Sequence, residues 1–558
     1  MPADDPSAVS HETPFDRAAM LQRIAAETFD VLVIGGGVTG AGVALDAASR
    51  GLSTALVEAD DFASGTSSKS SKLVHGGLRY LQQRDVRLVY EALHERQRLR
   101  RNAPHLVRVL PFMIPILTKD GIIPRRISRA LGSAMWAYDL TGGLRIGRRH
   151  RRLSAEQAHR HLPTMPPDRL SGAYLYFDAT ADDARLVLTI ARTAAAHGAA
   201  VANRCRVVGF TRSAGRDVDG VTVDADGRRF DVRARVVVNA AGVWADEVRA
   251  LEDGVDPDSI RPAKGVHLTV RWEKVRNDIA VVIPVRGDKR SLFVVPWGAV
   301  PGGGFTHTYI GTTDTDYDGR LDDPPCTAAD IDYVLGAVNA VVTTNVTRDD
   351  VTAAWAGLRP LVKSATSGRT ADLSRRHHVT IDPGGVVGIA GGKLTTYREM
   401  AEDTVDAVLA RLGHKVRCRT KRLRLVGAVG FVEPPVGTLP AHLAGRYGGL
   451  TGSVEALVAE DPTLAEPLVA GLPYVRAEAV YAVRHEMATT LDDVLTRRTR
   501  AHLFDRDATA AAAPAVAALM ARELGWDDAE VDRQLEAHRA LVAAEEADAL
   551  ATSDSTAP

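Results

Sequence analysis

The stretch FDVLVIGGGVTGAGVALDAASRGLSTALVEA, residues 29–59, decides the fold of this chain. It begins with an apolar run typical of a buried parallel strand, and Gly35, Gly37 and Gly40 follow in GxGxxG spacing at the start of a helical pattern. Gly35 permits a tight turn, Gly37 lets backbone amides approach a pyrophosphate, and Gly40 lets the helix pack closely on the strand. Glu58 ends a second predicted strand, where an acidic side chain binds ribose hydroxyls and disfavours a 2′-phosphate. The stretch therefore predicts an α/β dinucleotide-binding domain for NAD or FAD.

Length and composition limit the class of protein further. The chain has 558 residues, 45% hydrophobic and 25% charged, which is typical of a globular protein with two or three domains. Because 69 basic residues balance 70 acidic ones, we expect no nucleic-acid partner. Cys205, Cys326 and Cys418 are widely spaced, so we expect no disulfide framework, no metal site and a reducing cytoplasm. No apolar run reaches the roughly 18 to 20 residues that cross a bilayer, and the N-terminus has no signal-peptide pattern.

Two later stretches add candidate contacts to the cofactor. RARVVVNAAGVWAD, residues 233–246, predicts a strand followed by small residues, among them Gly242, that leave room for a cofactor against the backbone. VVGIAGGKLTTYREMAEDTVDAVL, residues 386–409, predicts a strand, a turn at Gly392 and Lys393, and then a helix. Both turns are therefore candidates for the wall of the cofactor site.

The helix in the second of these stretches favours FAD. Thr396 and Glu399 have the spacing of a capping box, which predicts that the helix starts near Tyr397. Its amides and macrodipole would then face whatever lies beside the two glycines. A reduced flavin carries negative charge that such a helix end stabilises, whereas nicotinamide has no comparable anion. We therefore predict FAD as the cofactor.

The stretch TSSKSSKLVHGGLRYL, residues 66–81, concentrates positive charge around two adjacent glycines. Together with GGGVTGAG, AGLRPL, AGGKLTTYREMAED and RHEMATTLDDVLTRRTR, it resembles the FAD-dependent, quinone-reducing glycerol-3-phosphate dehydrogenases. The resemblance extends from about residue 28 to about residue 530. It implies oxidation of sn-glycerol 3-phosphate to dihydroxyacetone phosphate by hydride transfer from C2 to N5 of FAD, with the electrons passing to membrane quinone.

The resemblance also implies the fold, which is an α/β FAD-binding Rossmann-like domain, an antiparallel-sheet substrate domain similar to that of D-amino-acid oxidase, and a C-terminal helical domain. We expect the FAD-binding domain in residues 28–110, 180–255 and 350–415, the substrate domain in 111–179 and 256–349, the helical domain in 420–540, and tails at 1–27 and 541–558. Residues 280–298 predict a β-hairpin in the substrate domain. Residues 484–500 predict an amphipathic helix of the C-terminal domain that docks on the FAD-binding domain.

The implied substrate is a small dianion, which fixed cations must hold with its C2 hydrogen toward the flavin. The substrate-binding residues that the resemblance implies are Arg79, Tyr80, Arg359, Arg375 and Lys393, with Arg376 as the alternative to its neighbour. The cofactor-binding residues are Gly35, Gly37, Gly40, Glu58, Thr66, Ser67, Ser70, Ser71, Lys72, Gly76, Gly242, Gly392, Lys393 and Thr396. The cations would also stabilise the negative charge that develops on the C2 oxygen.

Oxidation at C2 needs a base for the hydroxyl proton, and histidine is the natural base near neutral pH. His267, at the start of a predicted substrate-domain strand, is the preferred base, and His75, beside the flavin loop, is the alternative. Arg359 or Lys393 as partner of the hydroxyl is the third interpretation. Replacing His267 with Ala is expected to slow flavin reduction while leaving phosphate affinity nearly intact.

Residues 119–152 carry nine Lys or Arg against two acids. Met135 falls on an apolar helical face that arginines flank, and Trp136 and Tyr138 suit a membrane interface. We therefore predict a cytoplasmic protein that contacts the inner face of the cell membrane peripherally through this segment and reduces menaquinone or ubiquinone. The alternative is a helix packed on its own protein, with a solvated basic side.

Two other functions remain open. A glycerol-3-phosphate oxidase would share the motifs and pass its electrons to oxygen, although the chain has no long insertion between the FAD motif and the helical domain. A non-catalytic flavin-binding scaffold at the membrane would not need the cations and histidines. The sequence leaves a homodimer open.

Overall fold

The structure is a computed structural model that describes residues 15–77, 86–118, 135–136, 138, 146–215, 217–285, 290–363, 376–436 and 438–551. The described strands are β1 Thr28–Ile34, β2 Thr54–Val57, β3 Leu73–Val74, β4 Arg108–Leu117, β5 Arg151–Leu153, β6 Leu170–Thr180, β7 Ala200–Ala202, β8 Arg206–Arg212, β9 Val218–Ala225, β10 Arg228–Asn239, β11 Ile260–Arg271, β12 Ala280–Pro284, β13 Ser291–Ala299, β14 Phe305–Gly311, β15 Thr315–Asp316, β16 Val351–Val362, β17 His377–Ile381 and β18 Val387–Gly391.

The described α-helices are α1 Arg17–Ala26, α2 Val38–Ser49, α3 Val86–Asn102, α4 Ala155–His161, α5 Asp183–Ala196, α6 Ala245–Asp253, α7 Ala328–Asn339, α8 Tyr397–Leu412, α9 Leu439–Tyr447, α10 Thr451–Glu460, α11 Arg476–Glu486, α12 Ala501–Phe504, α13 Arg506–Leu524 and α14 Asp528–Leu550. None of the helices in the described part of the chain is both long enough and apolar enough to cross a membrane.

The first sheet contains the predicted dinucleotide-binding unit. Its order is β17-β18-β10-β1-β2-β7, with β9 on β10 and β8 on β9. The strands from β18 to β7 are parallel, and Ile34 pairs with Val57 on one side and Asn239 on the other. Strand β1 is buried on both faces, as expected where helices cover both sides of a parallel sheet, and α2 packs beside α5 and α8. The α/β prediction is confirmed.

The second sheet is antiparallel except where β12 runs parallel to β4. Its order is β15-β11-β14-β13-β12-β4-β6-β3, with β16 on the free side of β11 and β5 on β6. The predicted hairpin is present as the antiparallel pair of β12 and β13. Alternate residues of β11 point to opposite faces, so Val266 and Leu268 pack with Val334 of α7 in a core while His267 points to the other face.

The two sheets divide the chain differently from the predicted domains. Strands β3 and β16 lie in the second sheet, although both ranges were expected in the FAD-binding domain. The predicted N-terminal tail contains α1, whose Ile24 is buried, and the predicted C-terminal tail contains the end of α14. The sequence motifs identify the cofactor side of the molecule, but strand pairing decides where each later segment belongs.

The prediction for residues 484–500 is wrong, and the prediction for the basic segment is wrong at Met135 and Tyr138. Residues 484–500 are not one helix, because α11 ends at Glu486, Met487 is left-handed with a φ of 54°, and Asp493–Arg498 forms a π-helical turn. In the basic segment, Met135 and Tyr138 are buried, and Tyr138 donates to Asp178 at 2.7 Å, so neither faces lipid. Trp136 is half exposed.

Candidate functional site

The glycine turn after β1 has the geometry that its spacing predicts. Gly35 has a φ of 108°, which is unfavourable for other residues. A Cβ at Gly40 would lie 1.9 Å from the carbonyl oxygen of Gly35, so α2 can approach the turn only with glycine there. Helix α2 begins after Gly37, which has no capping side chain; Ser67 accepts from the amide of Val38, and the other amides of the first turn can face an anion.

Glu58 follows β2 directly and is half-buried beside the glycine turn. Its carboxylate accepts from the backbone amides of Gly36 at 2.5 Å and Asp60 at 2.8 Å. Burial raises the pKa of Glu58 to about 7, although these two hydrogen bonds act in the opposite direction. Near neutral pH, the carboxyl is therefore poised between its two protonation states.

A cavity of about 330 Å³ extends from this turn across the carboxyl ends of the parallel strands. Its lining includes the predicted residues Gly35, Gly37, Glu58, Thr66, Ser67, Gly242, Gly392 and Lys393. Ligands of open α/β sheets bind at this edge. The exposed amides of α2, the acidic Glu58 and the glycine-lined wall fit the pyrophosphate, ribose and ring system of a dinucleotide.

Helix α8 starts at Tyr397 as predicted, but the capping box does not form. Thr396 is the N-cap residue, yet its hydroxyl donates to the carbonyl of Lys393 at 3.4 Å instead of accepting from the helix. Residues Leu394–Thr396 form a 3-10 turn, and this turn directs the Thr396 hydroxyl toward the preceding residues instead of toward the helix. Thr396 is buried and does not line the cavity, whereas Lys393 does.

The loop of residues 66–72 has two parts, of which only the first lines the cavity. Thr66 and Ser67 line the cavity, where the Ser67 hydroxyl accepts from the amide of Val38 at 2.9 Å. Ser70 and Lys72 turn away from it, because both bind the carboxylate of Asp183 on α5.

Lys72 is an unusual residue in this loop. It adopts a φ of 56°, and its ammonium lies between Asp183 and the carbonyl of Ser68. Burial, reinforced by the nearby charge of Arg500, lowers the pKa of Lys72 to about 8. Lys72 and Ser70 therefore fix the loop through Asp183, and neither lines the FAD cavity.

Gly76 also does not line the cavity. Its amide donates to Asp178 at 3.2 Å, and an added Cβ would lie within 2.6 Å of both Leu93 and the Tyr138 hydroxyl. Glycine is required here because helix α3 and Tyr138 approach the loop closely. This contact holds the loop that carries His75.

A row of rings crosses the second sheet below the loop. Strand register places Trp355, His267, Gly311 and Phe293 side by side on β16, β11, β14 and β13. The His267 and Trp355 rings stack with centroids 4.9 Å apart, and the His75 and Phe293 rings form a T-shaped pair with centroids 6.0 Å apart. A Cβ at Gly311 would lie 2.3 Å from the His267 ring, so the row requires glycine there.

His267 is buried, and Ser71 holds its ring. The Ser71 hydroxyl lies 2.8 Å from Nε2, whereas Nδ1 has no hydrogen-bond partner among the described residues. Burial, together with the charges of Lys72 and Arg359, holds the pKa of His267 well below its usual range. The imidazole is therefore neutral at physiological pH.

Arg359 lies on β16, four residues beyond Trp355 on the same face. Its guanidinium contacts Asp314 and Thr312, each at 3.1 Å. The predicted residues Arg79, Tyr80 and Arg375 lie outside the described residues, and Arg376 precedes β17 at an exposed position. The structure thus brings Arg359 and His267 together on neighbouring strands, with Lys393 at the cofactor cavity.

Sequence reasoning missed Asp183 and Trp355. Asp183 contacts Lys72 from 111 positions away, and no spacing rule relates the two. Trp355 carried a detectable signal, because it shares a strand face with Arg359 in the AGLRPL region. Thr395 was also missed, and its hydroxyl joins α8 to the amide of His75 at 3.2 Å.

The fold and the site define the class of protein. Residues 30–398 match the family described as FAD dependent oxidoreductase, and residues 418–531 match the C-terminal domain of alpha-glycerophosphate oxidase. The cofactor is therefore FAD, and the cavity described above fits it.

Proteins that are similar to this chain along most of its length identify the family within this class. The chain is 42% identical to glycerol-3-phosphate dehydrogenase 2 of Mycobacterium bovis over 95% of its length and 91% of the relative's. It is 38% identical to the mitochondrial glycerol-3-phosphate dehydrogenase of Homo sapiens, over 95% of its length and 75% of that protein's. The FAD-complexed glycerol-3-phosphate dehydrogenase of Bacillus halodurans superposes with a TM-score of 0.74 at 31% identity, covering 95% of this chain and 97% of the other. The chain belongs to the FAD-dependent glycerol-3-phosphate dehydrogenase family.

Proposed function

We propose that this protein oxidises sn-glycerol 3-phosphate to dihydroxyacetone phosphate and passes the electrons to menaquinone or ubiquinone. The observation that carries the proposal is the position of Arg359 and buried His267 on the same face of two adjacent strands, in a chain whose full-length relatives bear the dehydrogenase name. FAD, when bound, supplies the hydride acceptor. The protein's own residues bind the phosphate, orient C2 and take the hydroxyl proton.

Arg359 and Lys393, with Arg79 and Arg375, are the proposed anion cradle. Asp314 and Thr312 fix the orientation of the Arg359 guanidinium, which favours bidentate contact with phosphate oxygens. Lys393 lines the FAD cavity, which supports a role for its ammonium group beside the cofactor. Tyr80 is a proposed hydroxyl donor to the same ligand.

His267 is the proposed base, and His75 is the alternative. Burial, together with the charges of Lys72 and Arg359, holds the pKa of His267 low and keeps the ring neutral before the substrate binds. A phosphate dianion near those cations would offset their charge, raise the pKa of His267 and make the ring a stronger base. Ser71 holds the ring orientation through Nε2.

Anaerobic titration of the purified yellow protein with glycerol 3-phosphate tests the activity. We expect the flavin absorbance to bleach and a menaquinone analogue to restore it. His267→Ala should slow bleaching by about 100-fold or more with little change in substrate affinity. His378→Ala, at an exposed histidine of β17, is the matched control and should behave as the parent.

Each alternative has its own result in this experiment. No bleaching would leave a non-catalytic scaffold, whereas faster reoxidation by oxygen than by the quinone analogue would indicate an oxidase. Unchanged bleaching in His267→Ala would exclude this residue as the base and direct attention to His75.

Membrane association and a homodimer complete the proposal. Because quinone is lipid-soluble, we infer peripheral contact with the inner face of the cell membrane through the basic segment 119–152, most of which lies outside the described residues. Neutralising Arg125, Arg126 and Arg129 should reduce sedimentation with acidic vesicles, and equal binding would exclude the segment. Light scattering would measure the oligomeric state.

A further inference from the structure

Asp183, at the start of α5, is a fully buried carboxylate that accepts several hydrogen bonds from the loop of residues 66–72. It accepts from the backbone amide of Ser70 at 3.0 Å and from the Ser70 hydroxyl at 2.7 Å. The Lys72 ammonium donates to the same carboxylate at 3.1 Å. One side chain therefore holds the residues on both sides of Ser71.

Ser71 is fixed through its backbone and binds the proposed base with its side chain. Tyr309 of β14 donates its hydroxyl to the Ser71 carbonyl at 2.9 Å. The Ser71 hydroxyl lies 2.8 Å from Nε2 of His267, and this is the one hydrogen bond of that ring within the described residues. The hydrogen-bonding direction of Nε2 therefore depends on where the loop holds Ser71.

Arg500, which precedes α12 in the C-terminal helical domain, completes the network around Asp183. Its side chain is 1% exposed, and its Nη2 donates to Asp183 at 3.1 Å and also to the carbonyl of Ser68 in the loop. Its Nη1 donates to the carbonyl of Thr496 at 2.8 Å, which anchors the guanidinium in its own domain. Hydrogen bonds between charged groups are strong and directional. The position of the helical domain is therefore transmitted to the loop.

Helix α12 also contacts two strands of the second sheet. Thr269, two residues beyond His267 on the same face of β11, donates its hydroxyl to the carbonyl of Leu503 at 2.7 Å. Thr352 of β16 donates to the carbonyl of Phe504, also at 2.7 Å. The helical domain thus contacts both the loop that binds the His267 ring and the strand that bears it.

We propose that Arg500 is a positioning residue for the base and acts through Asp183, the loop and the Ser71 hydroxyl. The C-terminal helical domain then helps to set the geometry of flavin reduction. The inference rests on the function proposed above, in which His267 takes the hydroxyl proton. Because Arg500 does not line the FAD cavity, its loss should slow the reaction without weakening cofactor binding.

Anaerobic stopped-flow reduction of the full-length, FAD-loaded protein by glycerol 3-phosphate tests the proposal. Arg500→Gln should slow flavin reduction about tenfold at saturating substrate, because Asp183 loses a charged donor and the loop is held less firmly. The dissociation constants for substrate and FAD should change by less than about twofold.

A double variant tests whether the effect passes through Ser71. Arg500→Gln combined with Ser71→Ala should reduce the flavin no more slowly than the slower of the two single variants, because both changes break the same path. Independent roles would instead multiply the two losses.

Arg185→Gln is the matched control. Arg185 is a buried arginine of α5 that also joins the helical domain, through Glu486 and through the carbonyl of Arg498 at 2.8 Å. Within the described part of the chain, its guanidinium forms no hydrogen bond with the loop of residues 66–72. This variant should lower the thermal stability, as Arg500→Gln does, yet reduce the flavin at the parent rate.

The environment of His267 gives a readout that does not depend on turnover. In protein with isotope-labelled histidine, the nitrogen resonance of His267 Nε2 is identified by its absence from His267→Ala. It should shift in Ser71→Ala and Arg500→Gln and stay in place in Arg185→Gln. Arg500→Lys keeps the buried charge and carries both tests should Arg500→Gln fold poorly, with a smaller loss of rate, about threefold.

Two results would overturn the proposal. One is parent-rate reduction in Arg500→Gln with an unmoved His267 resonance. The other is a multiplied loss in the double variant, which would assign Arg500 a role that does not pass through Ser71. Failure of the parent to bleach would instead contradict the proposed activity, and the resonance would still decide whether Arg500 positions His267.

Discussion

The wall of the FAD cavity and the interface beneath the C-terminal domain lie close together in the first sheet but are built in opposite ways. The cavity wall includes Gly35, Gly37 and Gly242, which leave space for a ligand beside the backbone. Asp61, three residues beyond Glu58, belongs to the interface, where it is fully buried and binds both Arg497 and Arg498. The FAD cavity depends on glycines that have no side chain, whereas the domain interface depends on buried charges that are paired with opposite charges.

This difference predicts how each surface fails. Adding a single methyl group to the cavity wall should expel the cofactor without unfolding the chain. Removing a single charge from the interface should loosen the domains while the cavity keeps its shape. The same contrast extends through Arg185 with Glu486 and Arg500 with Asp183, which are also buried pairs between the two parts.

Arg498→Ala should give the largest loss of stability. Burial alone would raise the pKa of Asp61, but Arg498 and Arg497 hold it below its usual value, so the carboxylate remains charged. Without Arg498 that buried charge loses both of the hydrogen bonds that the arginine donates, at 2.6 and 2.8 Å, which should cost about 3 to 5 kcal/mol. Thermal and urea unfolding would measure the loss.

Arg533→Ala is the matched control, because its pair with Glu530 is exposed on α14. Its cost should be below about 1 kcal/mol. Comparable losses in the two variants would show that burial does not distinguish these pairs and would remove the contrast between the surfaces.

Gly40→Ala should have the next largest effect. It should weaken FAD binding rather than unfold the protein. The new Cβ would collide with the Gly35 carbonyl, forcing α2 away from the turn at a cost of about 3 kcal/mol. We expect the dissociation constant for FAD to rise about 100-fold, measured by flavin fluorescence during reconstitution of the apoprotein. Gly336→Ala, on α7 where an added Cβ meets nothing within 4 Å, should leave FAD affinity unchanged. Parent-like affinity of Gly40→Ala would contradict the steric account.

The contrast also explains what the sequence could predict. The glycine turn, Glu58 and the start of α8 follow from local spacing, because a backbone cavity needs particular residues at particular intervals. The contact of Lys72 with Asp183 and the row from Trp355 to Phe293 depend on strand pairing between distant segments. No local pattern encodes such pairing, so Lys72 was predicted to contact FAD and Asp183 was missed.

Glu58→Gln should have a moderate effect that depends on pH. With a pKa of about 7, the carboxyl is neutral in acid and ionised in base, and the ionised form is the better acceptor for ribose hydroxyls. FAD affinity of the parent should therefore rise between pH 6 and 8, by about tenfold at most, and then level off. In Glu58→Gln the affinity should be lower and independent of pH over this range. An identical pH profile in both proteins would assign the titration to another group.

Ser71→Ala should give the smallest effect on the enzyme. It tests whether Ser71 belongs to the part of its loop that lines the FAD cavity or to the part that does not. Ser71 was predicted to contact FAD, but its hydroxyl binds Nε2 of His267 instead. Loss of one such hydrogen bond costs about 1 kcal/mol, so flavin reduction by glycerol 3-phosphate should slow by roughly five- to tenfold while FAD affinity stays constant. Ser213→Ala, at an exposed serine just after β8, should change neither. A fall in FAD affinity with unchanged reduction would instead return Ser71 to the cofactor, and the loop would then belong wholly to the cavity wall.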